Sequence, residues 1–362
     1  MPHLAIVGAG AAGLAAAFAL RSDSLRVTVF EKSRGLAGRA ATRWRDAEDG
    51  AGEPFRWRYD HGAQYVSAPE GSRAYRLLTD DLDTTGLVDF DGRVWPFDDD
   101  GTLRPDRAKD DPSPHLTYRD GIADLGRRLA EAVGEAEIRR QTRVGALHRE
   151  GGGWRLESDA GDDLGTFDAV LLTPPAPQTA DLLRASTLAD RLRQRLVGAL
   201  RPADYRAQFT VVLAFTAPVA RPEPYALVNA DEHGGTGGGH PVAWLAVESD
   251  KPGRAPEGGT LLLAQMAPDW TEAHYDDERA SVVREATREM EALLDTRLPK
   301  PAWTDSQRWR YALPNEGADA EALHEAASEG LFFAGDAVAG KGRVHLALES
   351  GLEAAERIRA AL

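Results

Sequence analysis

Residues 4–32 constrain the chain more than any other stretch. Leu4-Ala5-Ile6-Val7 is apolar and partly β-branched, and it runs into Gly8-Ala9-Gly10-Ala11-Ala12-Gly13 and then an alanine- and leucine-rich segment to Leu20. After a turn at Ser22-Asp23-Ser24, a second strand-like run, Val27-Thr28-Val29-Phe30, ends on Glu31. A strand, a glycine turn, a helix, a second strand and an acid, in that order, make the dinucleotide-binding unit. Each part has a physical task. Gly8 allows the tight exit from the first strand, Gly10 lets the backbone approach a pyrophosphate, and Gly13 lets the helix pack closely on the sheet. The helix N-terminus offers free N–H groups and a partial positive charge, worth about 0.3–1 kcal/mol to a phosphate at an exposed site. Glu31 is placed to accept hydrogen bonds from ribose hydroxyls.

The remaining composition narrows the class. The chain has 362 residues, 42% hydrophobic and 28% charged, which suits a soluble globular protein with room for two domains. No run of about 18 apolar residues occurs, so no membrane span is expected. The first strand begins almost at Met1, which leads us to expect no signal peptide and a cytoplasmic protein. Cysteine is absent, excluding disulfide frameworks, thiolate metal sites and cysteine nucleophiles. A net charge of −15 argues against nucleic acid or an anionic membrane as partner.

Beyond Glu31, Arg34-Gly35-Leu36-Ala37-Gly38-Arg39-Ala40 is a second glycine loop, either closing over a pyrophosphate or lying on the surface. Residues 44–54 read as an exposed acidic excursion. Residues 59–66 read as a strand in which Gly62 leaves one face open to a flat ring. Residues 69–87 read as helix, and 90–114 as short strands or loop. Apolar residues at three- and four-residue steps make 122–133 an amphipathic helix. Residues 138–148, 154–158 and 167–172 read as strands, Thr173-Pro174-Pro175 stops the last of them, and 176–200 returns to helix. Four runs, 208–215, 226–229, 242–248 and 260–267, read as one antiparallel sheet. The glycine-rich stretch from His233 to His240 reads as a flexible hairpin tip with solvated histidines, and 276–294 as a long helix with a charged, solvated face. Near the end, Leu331-Phe332-Phe333-Ala334, Gly335-Asp336-Ala337 and a helix over 346–362 repeat the strand, small turn and helix. There Asp336 either caps the turn or binds a polyhydroxyl chain, and the last helix would stabilise negative charge on a ring carbonyl.

Together these pieces resemble the flavin-dependent amine oxidase superfamily, and within it the renalases and renalase-like bacterial proteins, over nearly the whole chain. The first motif, the 34–39 loop and Gly335-Asp336 are general to such proteins. More specific are Asp60-His61-Gly62-Ala63-Gln64-Tyr65, Leu171-Leu172-Thr173-Pro174-Pro175, Ser249-Asp250-Lys251-Pro252-Gly253-Arg254 and Trp309-Arg310-Tyr311-Ala312. The closing Gly342-Arg343-Val344 and Ser350-Gly351 match as well. The resemblance implies an α/β fold. Its parts are a discontinuous FAD-binding Rossmann-like domain (1–72, 119–178 and 325–362) and an inserted α+β substrate domain (73–118 and 179–324) on a mainly antiparallel sheet. It implies non-covalent FAD, held by Gly8, Gly10, Ala11, Ala12, Gly13, Glu31, Lys32, Gly38, Arg39, Val144, Thr173, Gly335, Asp336, Arg343 and Val344. Val144 would touch the adenine end through its backbone, Gly62, Ala63 and Gln64 would lie beside the isoalloxazine, and the Val344 N–H would face flavin O2.

The chain departs from the family pattern at three places. His345 and Leu346 stand where relatives commonly carry Glu-Gly. Arg343 stands where amine oxidases tend to place an aromatic, and an arginine suits an anion. No lysine falls inside a substrate-domain strand; Lys251 reads as a rim residue.

The likeness implies oxidation of mis-reduced dinucleotides, the 2- and 6-dihydro isomers of NAD(P), by hydride transfer to flavin N5. O2 would take the electrons and H2O2 would be the second product. Candidate catalytic residues are Gln64, His61, Trp309, Tyr311 and Arg343, with Arg254 or Arg310 as further contacts to a phosphate-bearing substrate. Trp309 and Tyr311 either line the ring's open face or belong to a sheet core. His61 is either a proton acceptor near physiological pH or a structurally hydrogen-bonded histidine. Rival readings are a flavin amine oxidase, a desaturase-like enzyme, and a non-catalytic FAD-binding structural or regulatory protein. The expected partners are a small-molecule substrate and O2, with no nucleic acid, membrane or metal.

Overall fold

The computed structural model describes residues 1–21, 24–108, 112–134, 136–230 and 239–362. Two sheets dominate it. The first has five strands in the order Leu331–Phe333, Ala169–Leu172, His3–Val7, Arg26–Glu31 and Glu137–Arg140, every pair parallel. Its central strands are continuous apolar runs because both faces are covered. Leu4, Ile6, Val29 and Leu171 pack into a core with the helix Ala11–Leu20, the helix Asp124–Ala132 and the last helix, Val344–Ala361. The alternate residues Ala5, Val7, Val170 and Leu172 pack on the opposite side. There they meet the antiparallel strands Val144–Glu150, Gly153–Ser158 and Asp163–Phe167 and the helices Ala176–Ala185 and Asp190–Leu200. The alanine-rich first helix permits a close crossing with the last one: a Cβ on Gly351 would lie 2.1 Å from the Ala12 carbonyl oxygen.

The second sheet has six strands, ordered Trp303–Pro314, Tyr205–Phe215, Thr260–Met266, Val242–Val247, Ala226–Asn229 and Val94–Phe97. All neighbours are antiparallel except the last pair, so the four expected strands do share a mainly antiparallel sheet. Period-2 alternation gives its faces different fates. One face, with Val211, Leu213, Leu245, Leu262 and Ala264, is closed by Val282, Ala286, Met290 and Leu293 of the helix Arg279–Leu293. On the other, Val212, Ala214, Leu261 and Leu263 pack against Trp57 and Tyr59, and the row beyond them turns polar at Thr210 and Gln265.

Several local expectations change. The 44–54 excursion is largely a β-hairpin, Thr42–Glu48 against Pro54–Asp60, whose ladder satisfies the backbone while Trp44 stays 63% exposed. The strand expected over 59–66 stops at Asp60, where the chain turns before a two-residue strand, Val66–Ser67. Helix within 69–87 is limited to residues 73–81, and Leu87–Asp89 pairs instead with His115–Tyr118. Residues 231–238, on which most of the glycine-rich hairpin tip falls, lie outside the described residues. His240 does not sit in solvent: it is buried, and its Nδ1 accepts the Val242 N–H at 3.0 Å. No helix among the described residues is long and apolar enough to cross a membrane.

Candidate cofactor and active site

The C-terminal ends of the parallel strands meet at one edge, where open α/β sheets bind ligands. Two glycines of the first motif are there because of the protein itself. Gly8 has φ +104°, and a Cβ on it would lie 2.5 Å from Thr173 Oγ1, which donates to the Val7 carbonyl at 2.9 Å. A Cβ on Gly13 would lie 2.0 Å from the Gly8 carbonyl oxygen. Gly10 differs: its φ of −77° is ordinary, and a Cβ there would meet nothing within 4 Å. Nothing in the protein demands that glycine, but it keeps the space before the helix open. The helix has no side-chain cap and no acid in its first turn, so its leading N–H groups remain for an anion. This cradle fits the pyrophosphate of a dinucleotide.

Glu31 braces the turn, accepting the Ala9 N–H at 2.9 Å and the Ser33 N–H at 2.7 Å. Lys32 reaches Gln178 at 3.1 Å. The 34–40 loop folds onto the motif: the Ala37 N–H donates to the Ala9 carbonyl at 2.9 Å, and Gly38 has φ +60°. Val144 opens its strand, buried and paired with Ser158. Arg39 then spans to the far end of the sheet. It holds Asp336 through two hydrogen bonds of 2.6 and 2.8 Å and donates to the Ala312 carbonyl at 3.1 Å. Tyr205 donates to the same carboxylate at 2.8 Å; burial and Asp336 push its hydroxyl above the ordinary range and keep it a donor. Gly335, at φ +118°, donates its N–H to Ser350 Oγ at 3.1 Å.

Outward from this edge lies the turn that carries His61, Gly62, Ala63 and Gln64. The Ala63 N–H donates to the Arg39 carbonyl at 2.9 Å. A Cβ on Gly62 would lie 2.0 Å from that oxygen and 3.3 Å from Trp309 Cζ2. The gap expected beside Gly62 is therefore filled by the protein. Gln64 is buried, donating to the Asp60 carbonyl at 2.5 Å and accepting from the Tyr225 hydroxyl at 3.1 Å. His61 stacks on Trp309, ring centroids 5.2 Å apart. Burial, with the Arg43 charge, pushes His61 down to about 4, so its ring is neutral near pH 7 and a weak base. Trp309 and Tyr311 are half-buried on one face of the edge strand Trp303–Pro314, and Tyr311 meets Tyr205 edge-on at 6.0 Å.

Two arginine and lysine readings are corrected. Lys251 is no rim residue, and Arg254 is not available to a substrate phosphate. Both side chains are 0% exposed and form a closed quartet with Asp60 and Glu248. Lys251 Nζ lies 3.0 Å from Asp60 and 2.8 Å from Glu248, and Arg254 Nη2 lies 2.7 Å from Asp60. Burial would drive two lone carboxyls up. For Asp60 the two cations more than offset this and hold it below the ordinary range, whereas Glu248 stays raised. Arg310 and Arg343, by contrast, are exposed. Arg343 is the N-cap of the last helix, which Val344 opens. Sequence reading missed Glu248, Thr210, Tyr225 and Gln265; the available signal was a lone polar residue at, or at the end of, a strand of apolar neighbours.

A parallel sheet ending in a glycine cradle at a helix N-terminus, with the 37–40 loop folded onto it, defines a dinucleotide-binding protein of the Rossmann-like class. The chain belongs to the flavin-containing amine oxidoreductase family, whose model matches residues 100–359, and an NAD(P)-binding Rossmann-like domain model matches residues 6–80. A flavin-containing monooxygenase, FMO GS-OX-like 2 of Arabidopsis thaliana, is 31% identical over 180 residues, 47% of this chain. The match covers 35% of that relative, so this chain spans about a third of its length. Similar folds are seen in a candidate protoporphyrinogen oxidase from Exiguobacterium sp. 255-15 (TM-score 0.76, 18% identity, 100% and 99% of the two chains). They are seen also in a reduced UDP-galactopyranose mutase (0.71, 12%, 100% and 94%) and a putrescine oxidase redesigned in its cofactor binding (0.68, 14%, 99% and 99%). FAD is the cofactor. Such diverse neighbours share the scaffold and leave the substrate to the site.

Proposed function

We propose that this enzyme acts as a renalase-like oxidase on a phosphate-bearing dihydronicotinamide, best represented by the 2- and 6-dihydro isomers of NAD(P). Bound FAD supplies the hydride acceptor at N5, and O2 carries the electron pair away as H2O2. The observation that carries the reading is Arg343, the N-cap of the last helix. Its side chain is exposed and paired with no carboxylate among the described residues; the guanidinium donates only to the Gly342 carbonyl, at 3.2 Å. Arg343 lies beside the edge strand that carries Trp309 and Tyr311, because a Cβ on the preceding Gly342 would lie 2.3 Å from Leu313 Cδ2 on that strand. A cation at that place suits a flat ring attached to phosphates and repels a protonated amine. Gly62, Ala63 and Gln64 would border the flavin, with Trp309 and Tyr311 lining the substrate side and the Val344 N–H facing the flavin O2.

Anaerobic stopped-flow reduction of the FAD-loaded protein tests this, comparing 6-dihydro-NAD(P) with primary amines and polyamines. Rapid bleaching by the dinucleotide, reversed by air with release of peroxide, is the expected result. Bleaching by an amine alone overturns the reading in favour of an amine oxidase, and no bleaching by either overturns it in favour of a desaturase-like or non-catalytic protein.

A further inference from the structure

Every carbonyl of the turn at residues 60–62 is taken by a side-chain donor. The Asp60 carbonyl accepts from Gln64 Nε2 at 2.5 Å. That of His61 accepts from Thr210 Oγ1 at 2.9 Å and from Trp309 Nε1 at 2.8 Å. That of Gly62 accepts from Gln64 Nε2 at 3.2 Å and Gln265 Nε2 at 2.8 Å. Three of these donors, Thr210, Gln265 and Trp309, stand on adjacent strands of the six-stranded sheet, where Thr210 pairs directly with Gln265. Fixing the carbonyls fixes the opposite side of each peptide plane. The held His61 carbonyl thereby fixes the Gly62 N–H, which no acceptor among the described residues takes, and the held Gly62 carbonyl fixes the Ala63 N–H, which donates to the Arg39 carbonyl.

The turn also has a defined place relative to the cofactor cradle. It rests on the Arg39 backbone, and the 37–40 segment rests on the glycine motif, a Cβ on Gly38 lying 3.5 Å from Gly10 Cα. From the phosphate-binding helix outward the order is glycine motif, 37–40 loop, 60–64 turn and substrate sheet.

We propose that Thr210 and Gln265 are positioning residues: Thr210, by holding the His61 carbonyl, aims the Gly62 N–H at the flavin ring, and Gln265, by holding the Gly62 carbonyl, keeps the turn docked on the Arg39 carbonyl so that this aim is kept. Neither side chain itself meets the ring. A donor held toward a ring that gains negative charge on reduction favours its reduced form, so the second sheet sets the flavin's redox poise through the turn. The inference rests on FAD as cofactor and on no particular substrate.

The test uses FAD-loaded protein without substrate. Thr210→Val keeps the shape and removes the hydroxyl, Thr210→Ser keeps the hydroxyl, and Gln265→Met keeps the length of a half-buried side chain without its donor. We expect Thr210→Val and Gln265→Met to retain FAD but to shift its visible absorption band and lower its reduction midpoint. Thr210→Ser should match the native protein in both. A band and midpoint unchanged in Thr210→Val and Gln265→Met overturn the proposal, and so does an equal shift in Thr210→Ser. Should Thr210→Val fail to fold, Gln265→Met decides alone. Because no substrate is present, failure of the dihydronicotinamide reading leaves these outcomes untouched.

Discussion

Asp60 and Asp336 are both buried carboxylates held by arginine, and both border the candidate site, yet their surroundings follow opposite rules. Asp60 belongs to a quartet of two acids and two bases whose side chains are all 0% exposed. Its oxygens also accept from Thr42 Oγ1 at 2.6 Å and the Ile122 N–H at 2.9 Å, so no valence is left for a ligand. Asp336 has one cation, Arg39, whose side chain remains 30% exposed. A sealed network of this kind repays its desolvation only as a complete set, and it holds the hairpin, the 248–254 segment and the 60–64 turn in one arrangement. An open pair can exchange a partner for an incoming hydroxyl or phosphate at little cost. The difference separates what builds the site from what binds in it.

Breaking the sealed side should have the largest effect. Lys251→Met leaves Asp60 and Glu248 sharing Arg254 alone, and we expect a loss of about 3–5 kcal/mol in denaturant unfolding. Burial holds the Glu248 carboxyl above its ordinary range, so the loss should grow as pH rises through its folded-state pKa and shrink in acid, where a proton replaces the missing cation. Adding Glu248→Gln restores charge balance and should recover part of the stability; a double variant as weak as the sum of both singles would show that the four charges do not act as a unit. On the open side, Asp336→Asn should cost only about 1–2 kcal/mol, because Arg39 retains access to water. Its main effect is expected in FAD content, read from the ratio of visible to ultraviolet absorbance after gel filtration. Undiminished FAD with a large loss of stability would place Asp336 among the sealed groups instead.

The same division decides how much was legible in the sequence. The strand, glycine turn, helix and second strand form where they were read because their signals are local: apolar runs, helical periodicity and a motif of fixed spacing. The final strand, turn and helix share that property. What escaped notice is made by contacts between distant residues. Thr210 and Gln265 reach the turn across 149 and 203 residues, and each looks, in its own strand, like an incidental polar interruption. Lys251 sits just past a strand end, where solvent is the usual surrounding, and only the chain's return places Asp60 over it. Gly62 was recognised as special, but the group that requires its bare Cα is the Arg39 carbonyl rather than a ring. Position along the chain carries little information about which side of a loop is sealed.

The smallest change is the most selective test of the division, and it compares two glycines three residues apart. Gly13→Ala would push a Cβ to 2.0 Å from the Gly8 carbonyl oxygen, so the helix must leave the sheet or the fold must fail. Gly10→Ala meets nothing within 4 Å, at a φ of −77° that alanine adopts freely. Its effect on the folded protein should lie within about 1 kcal/mol, and it can even stabilise by narrowing the unfolded ensemble. The methyl group does project into the approach to the helix N-terminus, where the pyrophosphate must come within hydrogen-bonding distance of the backbone. We therefore expect Gly10→Ala to unfold like the native protein and to lose FAD, measured by fluorescence titration of the apoprotein. Native affinity in that variant would mean that the phosphates bind elsewhere on the edge, and the open cradle before the first helix would need another occupant.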